Sequence, residues 1–282
     1  MAVEVAPISD TDVPVIAEIM HAHFDRRVPW ARSYMALPWQ VDAPNRGFML
    51  RDGERVVGAY LAFYSQRLMP GRVESFCNLG AWCVLPEYRL HSVRLLKALI
   101  AQRGYHFTDL SPNKTVTSVN AKLSFRYLDT SAAFVPHLPW PTSPGRTRIT
   151  TDGAAIARLL EEPHLEVYRD HAQAAAAHHL VISRGDASCY VMYREVRYRN
   201  VPILAVILYV SDPSLFRRAI FPLTRYLLVR RRLLATLAEL RIVTYQPPLS
   251  FRLRSWPKMY RSATLEPHEI DDLYSELVCV PW

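Results

Sequence analysis

Apolar positions along this chain alternate in some stretches and recur every three or four residues in others, and the two periods predict a succession of strands and helices. Val3–Ile8 alternates as a strand, and Ser9 and Asp10 can cap a helix running from Asp12 to about Phe24. That helix would place Val13, Ile16, Ala17, Ile19 and Met20 on one face. Residues 28–46 read as loop or short helix. A hairpin follows, with Gly47–Arg51 and Arg55–Tyr64 flanking the turn Asp52-Gly53. Beyond Pro70-Gly71 a long strand runs from Arg72 to Val84 and stops at Pro86. Then come a helix over Ser92–Arg103, a strand over Tyr105–Leu110, a helix over Thr115–Leu123 and a strand over Phe125–Phe134.

Pro136, Pro139, Pro141, Pro144 and Gly145 mark the clearest linker, and a second series begins beyond them. Ala154–Leu160 and Glu166–His179 read as helices, and Ala187–Tyr198 and Val201–Tyr209 as paired strands. Pro213 opens a helix reaching about Leu234 that Pro222 should kink. Strands are predicted at Ala238–Tyr245 and Leu277–Val280. The second half repeats the first in outline, which points to a duplicated fold.

Composition adds limits. With 282 residues and half of them apolar, the chain has enough material for one large core or two smaller ones, and a largely disordered protein is excluded. The longest apolar run, Val201–Val210, is too short to cross a bilayer, so membrane contact is not expected. The first ten residues carry two acids and no base, unlike a secretory signal. Cys77, Cys83, Cys189 and Cys279 lack metal-finger spacing and read as free thiols in a reducing cytoplasm. No metal site is expected. The net charge of +8 is spread over both halves; it reads first as solvated surface charge, and it also suits a nucleic-acid binder or an enzyme handling a polyanionic cofactor.

Gly80-Ala81-Trp82-Cys83-Val84-Leu85-Pro86-Glu87-Tyr88-Arg89 resembles the core of the GCN5-related N-acetyltransferase (GNAT) superfamily, where a strand ends in Val-x-Pro-x-Tyr-Arg. In that family the next turn wraps the pyrophosphate of an acyl-CoA, with amides at a helix start pointing at the phosphates. The family turn reads Arg/Gln-x-x-Gly-x-Gly/Ala. Here it is Arg89-Leu90-His91-Ser92-Val93-Arg94, so Ser92 and Arg94 replace the two small residues. The site is then rebuilt with side chains, adapted to the pantetheine of an acyl-carrier protein, or inactive. A second match lies at Asn113–Phe125, where Asn113, Lys122 and Phe125 fit the family pattern. Asn120 stands where many members carry a Tyr that protonates the leaving thiolate, and an amide can only hydrogen-bond.

The resemblance implies an α/β (α+β) protein of two GNAT-like modules, each a mixed, mostly antiparallel sheet flanked by helices. Residues 1–135 would bind the acyl thioester, 136–150 would link, and 151–282 would form a degenerate copy. It implies contact of Ala81, Trp82, Cys83 and Val84 with pantetheine and carbonyl, and of Arg89–Arg94 with the pyrophosphate. Glu74, His106 and Asp109 are candidate bases, with His21 and His23 as further choices on the first helix. Cys77 offers a covalent route or an inert buried thiol. Trp30, Tyr34, Trp39 and Trp140 lie in loops that shape the acceptor pocket in this fold. Arg217, Arg218, Arg225 and Arg230–Arg232 form a basic helix that could grip tRNA, a carrier protein or an anionic substrate.

The function implied is acyl transfer from acyl-CoA to an amine of a small biosynthetic acceptor by direct attack. The rivals are a tRNA-dependent aminoacyl transferase, an acyl-carrier-protein-dependent N-acyltransferase, and a degenerate module that binds without turnover.

Overall fold

A computed structural model of the chain describes residues 3–35, 37–69, 71–141, 147–199 and 201–281. By its contacts the chain divides into two units. The first holds residues 1–128, 257–270 and 274–282; the second holds 129–256 and 271–273.

In the first unit, β1 (Glu4–Pro7), β2 (Gly47–Asp52), β3 (Arg55–Met69) and β4 (Arg72–Val84) form an antiparallel series. β5 (His106–Asp109) pairs parallel with β4, and β6 (Arg126–Tyr127) closes the sheet. The helices are α1 (Val13–His23), α2 (Trp30–Met35), α3 (Ser92–Ile100) and α4 (Lys114–Lys122). α3 packs its leucines at 95, 96 and 99 into one core cluster with Tyr60, Ala62, Tyr64, Cys77 and Leu79. Trp30, Tyr34 and Trp39 are buried, the first two on α2. The Trp39 indole donates to the Tyr64 carbonyl at 2.8 Å.

The second unit contains β7 (Ser131–Pro136), β8 (Arg148–Thr150), α5 (Gly153–Leu159), α6 (His164–His171), β9 (His178–Arg184), β10 (Ala187–Tyr198) and β11 (Val201–Val210). These are followed by α7 (Pro213–Arg218), α8 (Ile220–Arg231), β12 (Ala235–Glu239), α9 (Leu240–Val243) and β13 (Phe251–Arg254). The kink expected near Pro222 is a break at Ala219, between α7 and α8. Tyr193, Ile207, Phe216, Leu223 and Leu227 are central to this unit's core.

Two segments, β14 (Met259–Arg261) and α10 (Glu276–Cys279), belong to the first unit although they lie at the far end of the sequence. The strand orders are β1-β2-β3-β4-β5-β14-β6 and β8-β9-β10-β11-β12-β7-β13. Position by position the two seven-stranded sheets match. In each, the sixth strand comes from a remote stretch of chain, which suggests a duplicated fold in which those two strands are exchanged.

The placement of β7 and β14 changes the predicted domain boundaries, and several elements differ in kind or extent. The single strand expected over Phe125–Phe134 is two strands in different sheets, β6 and β7. Residues 129–135 thus lie with the second unit, and 257–270 and 274–281 lie with the first. Of the expected linker, Arg148–Thr150 is strand β8, and residues 142–146 fall outside the described residues. The helix predicted over Glu166–His179 ends at His171, and His178-His179 open β9. The strand predicted over Ala238–Tyr245 is displaced toward the N-terminus and gives way to α9 after Glu239. Leu277–Val280, expected as a strand, lies largely in the short helix α10, capped by the Ser275 hydroxyl. At Ala238–Tyr245 and Leu277–Val280 a short apolar run carried no periodicity able to separate helix from strand.

Candidate functional site at the opening between two parallel strands

β4 and β5 pair through Phe76, Cys77 and Asn78 and no further. Beyond Asn78, β4 runs on to Val84 without β5 beside it, so the sheet opens between the two strands. Within that stretch β4 carries a bulge. Leu61 pairs with Gly80 and Tyr60 with Trp82, which leaves Ala81 between them at φ 56. A bulged residue is unpaired in the ladder and turns the backbone locally.

Asp109, the last residue of β5, is buried at this opening. Its Oδ2 accepts from the Asn120 side-chain amide at 2.7 Å and from the Tyr60 hydroxyl at 3.3 Å. Burial, with the nearby Glu276 carboxylate adding to it, pushes the Asp109 carboxyl up to about 7. Trp82 stacks on Tyr60 with centroids 4.5 Å apart and planes 9° from parallel. Two buried polar atoms here have no hydrogen-bond partner among the described residues: the Trp82 Nε1–H and Asn120 Oδ1. An unmatched donor and acceptor are costly in a buried place unless a ligand meets them.

Glu276 enters from α10 and was not foreseen, because nothing in the local sequence marks a residue so far along the chain as a neighbour of β4. Its backbone amide donates to Asn78 Oδ1 at 3.1 Å, and its Oε1 accepts from the Ser111 hydroxyl at 2.6 Å. Asn78 is itself fixed by its side-chain amide donating to Thr108 Oγ1 at 3.0 Å. Gly80 permits the approach. A Cβ built there would lie 2.9 Å from the Glu276 Cβ and 2.8 Å from the Phe63 ring.

The other candidate bases sit elsewhere. Glu74 and His106 lie at the opposite ends of their strands, about 10 Å along β5 from Asp109 at 3.3 Å per residue. They bond each other, Glu74 Oε2 to His106 Nε2 at 2.9 Å, and the other ring nitrogen of His106 meets the Ser262 hydroxyl at 2.8 Å. The bond from His106, with Arg72 helping, holds the Glu74 carboxyl below its usual value. Asn113 is an N-cap: its Oδ1 accepts from the amides of Thr115 and Val116 at 3.0 Å. Cys77 is fully buried with its thiol pushed up by burial, which suits the inert reading. Cys83 is also buried, and Val84 is half-buried.

The turn before α3 differs from a phosphate cradle. Residues 86–91 wind into a 3-10 helix continuous with α3, and the Ser92 amide is bonded to the Arg89 carbonyl. Leu90 is 96 % exposed, Arg89 is exposed, and His91, Ser92 and Val93 are half-buried. Arg94 donates to the Val3 carbonyl at 2.8 Å. Of the amides in this turn, that of Ser92 is thus turned onto the chain itself. The opening holds the bulge at Ala81 and, close by, the unmatched Trp82 Nε1–H and Asn120 Oδ1.

No family model matches the sequence, and no curated protein matches it. Solved structures do. A GCN5-related N-acetyltransferase from Anabaena variabilis superposes with a TM-score of 0.61 at 12% identity, over 92% of this chain and 72% of that one. A protein from Enterococcus faecalis described as a probable N-acyltransferase gives 0.61 at 12%, over 95% and 74%. A GCN5-related N-acetyltransferase from Kribbella flavida gives 0.57 at 14%, over 92% and 71%. The fold is therefore that of the GCN5-related N-acetyltransferases. The two mixed sheets match two modules of that fold, as the sequence resemblance implied.

Proposed function

We propose that the first unit is an acyltransferase that moves an acyl group from acyl-CoA to the amine of a small biosynthetic molecule by direct attack. The observation that carries this reading is the opening between β4 and β5, bulged at Ala81, with the buried carboxyl of Asp109 at its edge. A base poised near neutral pH is best placed to take a proton from an attacking ammonium or amine. The thioester brings the activated acyl group. The unpaired backbone at Ala81 offers an amide to the carbonyl oxygen, where negative charge develops. Asp109 accepts the amine's proton as the C–N bond forms, and the C–S bond then breaks to release thiolate. Asn120 holds the Asp109 carboxyl in place and supplies no proton.

A second reading is favoured by the turn before α3. With the Ser92 amide already bonded to Arg89, the donor's arm is held at the opening and its nucleotide end is not, which suits a pantetheine thioester on a carrier protein. Calorimetric titration with acetyl-CoA, free CoA and acetyl-pantetheine separates the two. Tighter binding of acetyl-CoA, weakened in Arg89→Ala, supports a coenzyme A donor. Equal binding of acetyl-CoA and acetyl-pantetheine supports the carrier. Binding of neither would overturn the thioester reading and leave a module without turnover.

A further inference from the structure

The second unit carries a face with no role in the site above. Leu138, Tyr198, Val201, Val229 and Leu234 are large apolar side chains, each between 46 % and 61 % exposed. The backbone places most of them side by side. Tyr198 pairs with Val201 across the β10–β11 hairpin, the Leu234 amide bonds the Ile203 carbonyl on β11, and the His137 amide bonds the Leu234 carbonyl next to Leu138. Val229 lies on the last turn of α8, just ahead of Leu234.

The charges around these residues have one sign. Arg197, Arg199, Arg230 and Arg232 are exposed, and the stretches 136–141, 197–201 and 225–234 contain no Asp or Glu. The carboxylate that does approach, Glu195, is mostly buried and is already bonded to Arg231 at 2.7 Å. Exposed apolar groups scattered singly need no explanation, but Leu138, Tyr198, Val201 and Leu234, set beside one another by the backbone among exposed arginines, do.

We propose that this face of the second unit docks on an anionic lipid bilayer. Arginines alone would suit any polyanion. Val201, Val229 and Leu234 gain nothing from a phosphate backbone, whereas the headgroup layer of a bilayer presents phosphates and an acyl boundary together. Arginine stems lie along apolar surface while their guanidinium groups reach the phosphates, and tyrosine favours the same interface. No helix among the described residues is long and apolar enough to cross a membrane, and lying on one requires none.

The test is co-sedimentation of the full chain with vesicles of phosphatidylcholine, with and without phosphatidylserine. The expected result is binding to the anionic vesicles that falls with salt and is weak on phosphatidylcholine alone. Replacing both Arg230→Ala and Arg232→Ala should weaken it roughly thirtyfold. Val229→Ser with Leu234→Ser should weaken it about tenfold. Arg103→Ala, an exposed basic site in the first unit, should leave it unchanged, and thermal melts of the variants should match the parent. No sedimentation with anionic vesicles at low salt overturns the proposal. So does binding that depends on the arginines and ignores the apolar pair, which would assign the face to a polyanion such as RNA.

Discussion

Each unit has the same opening between its two parallel strands, and the chain fills the two differently. In the first, β4 outruns β5, and the Asp109 carboxyl meets the Tyr60 hydroxyl and the Asn120 side-chain amide. In the second, β11 pairs with β12 through Leu204, Ala205 and Val206, and β12 ends at Glu239. Arg241 bonds Glu239 at 2.7 Å and also bonds Asp272. Burial opposes the Arg241 charge, and the two carboxylates outweigh it, so the guanidinium is held protonated. A carboxyl with its cation is a structural joint. One without a cation keeps its proton to neutral pH and is available for chemistry.

The largest effect that would break this contrast is Arg241→Ala. It would remove the cation bonded to two buried carboxylates, and urea denaturation should show a loss of about 3–5 kcal/mol. Turnover in the first unit should survive at temperatures where the variant is folded. Asp109→Asn is the counterpart. It should lower acyl transfer a hundredfold or more, on the order expected for loss of a general base, with the fold retained because Asn120 and Tyr60 still find an oxygen.

Stability should follow pH in a way the two sites share unequally. The Asp109 carboxyl stands at about 7 in the folded state against 3.8 for an ordinary aspartate, so between these values the native state binds the extra proton. Its contribution is full below pH 4 and is lost as pH rises through 7. Chemical denaturation of the parent between pH 5 and 8 should show that fall, and Asp109→Asn should flatten it. Glu276→Gln removes a negative neighbour, so the Asp109 carboxyl should titrate lower and the rising limb of the pH–rate profile should shift to lower pH. An unmoved limb would separate Glu276 from the chemistry. The smallest effect is Asn113→Ala, which removes the α4 cap and should cost about 1 kcal/mol in a melt, with turnover unchanged.

Much of the fold was legible because its strands are long and their pattern is regular. The β2–β3 turn with Gly53 at φ 60, the long β4 ended by Pro86, and the leucines of α3 were all readable from spacing alone. The exchanged strands were not. β14 is three residues long, and only Leu128-Asp129-Thr130, with no Gly or Pro, separates β6 from β7. Which sheet a short strand joins is decided by the whole packing and not by its own residues. In the site, Asp109 was legible from a strand end and Asn120 from its place in the family resemblance, and the structure joins them in one bond. Glu74 and His106 were chosen on chemistry, and that chemistry is real, but their position at the far ends of the strands pairs them with each other. Glu276 was invisible because its link to Asn78 spans 198 positions.

The most direct measurement is thiol release from acetyl-CoA and acetyl-pantetheine in the presence of a panel of small amines, by the parent and by Asp109→Asn, across pH 5 to 9. The account predicts amine-dependent release by the parent that rises through about pH 7 and is lost in the variant. Release by Asp109→Asn equal to the parent's would contradict it, as would no amine-dependent release from either donor.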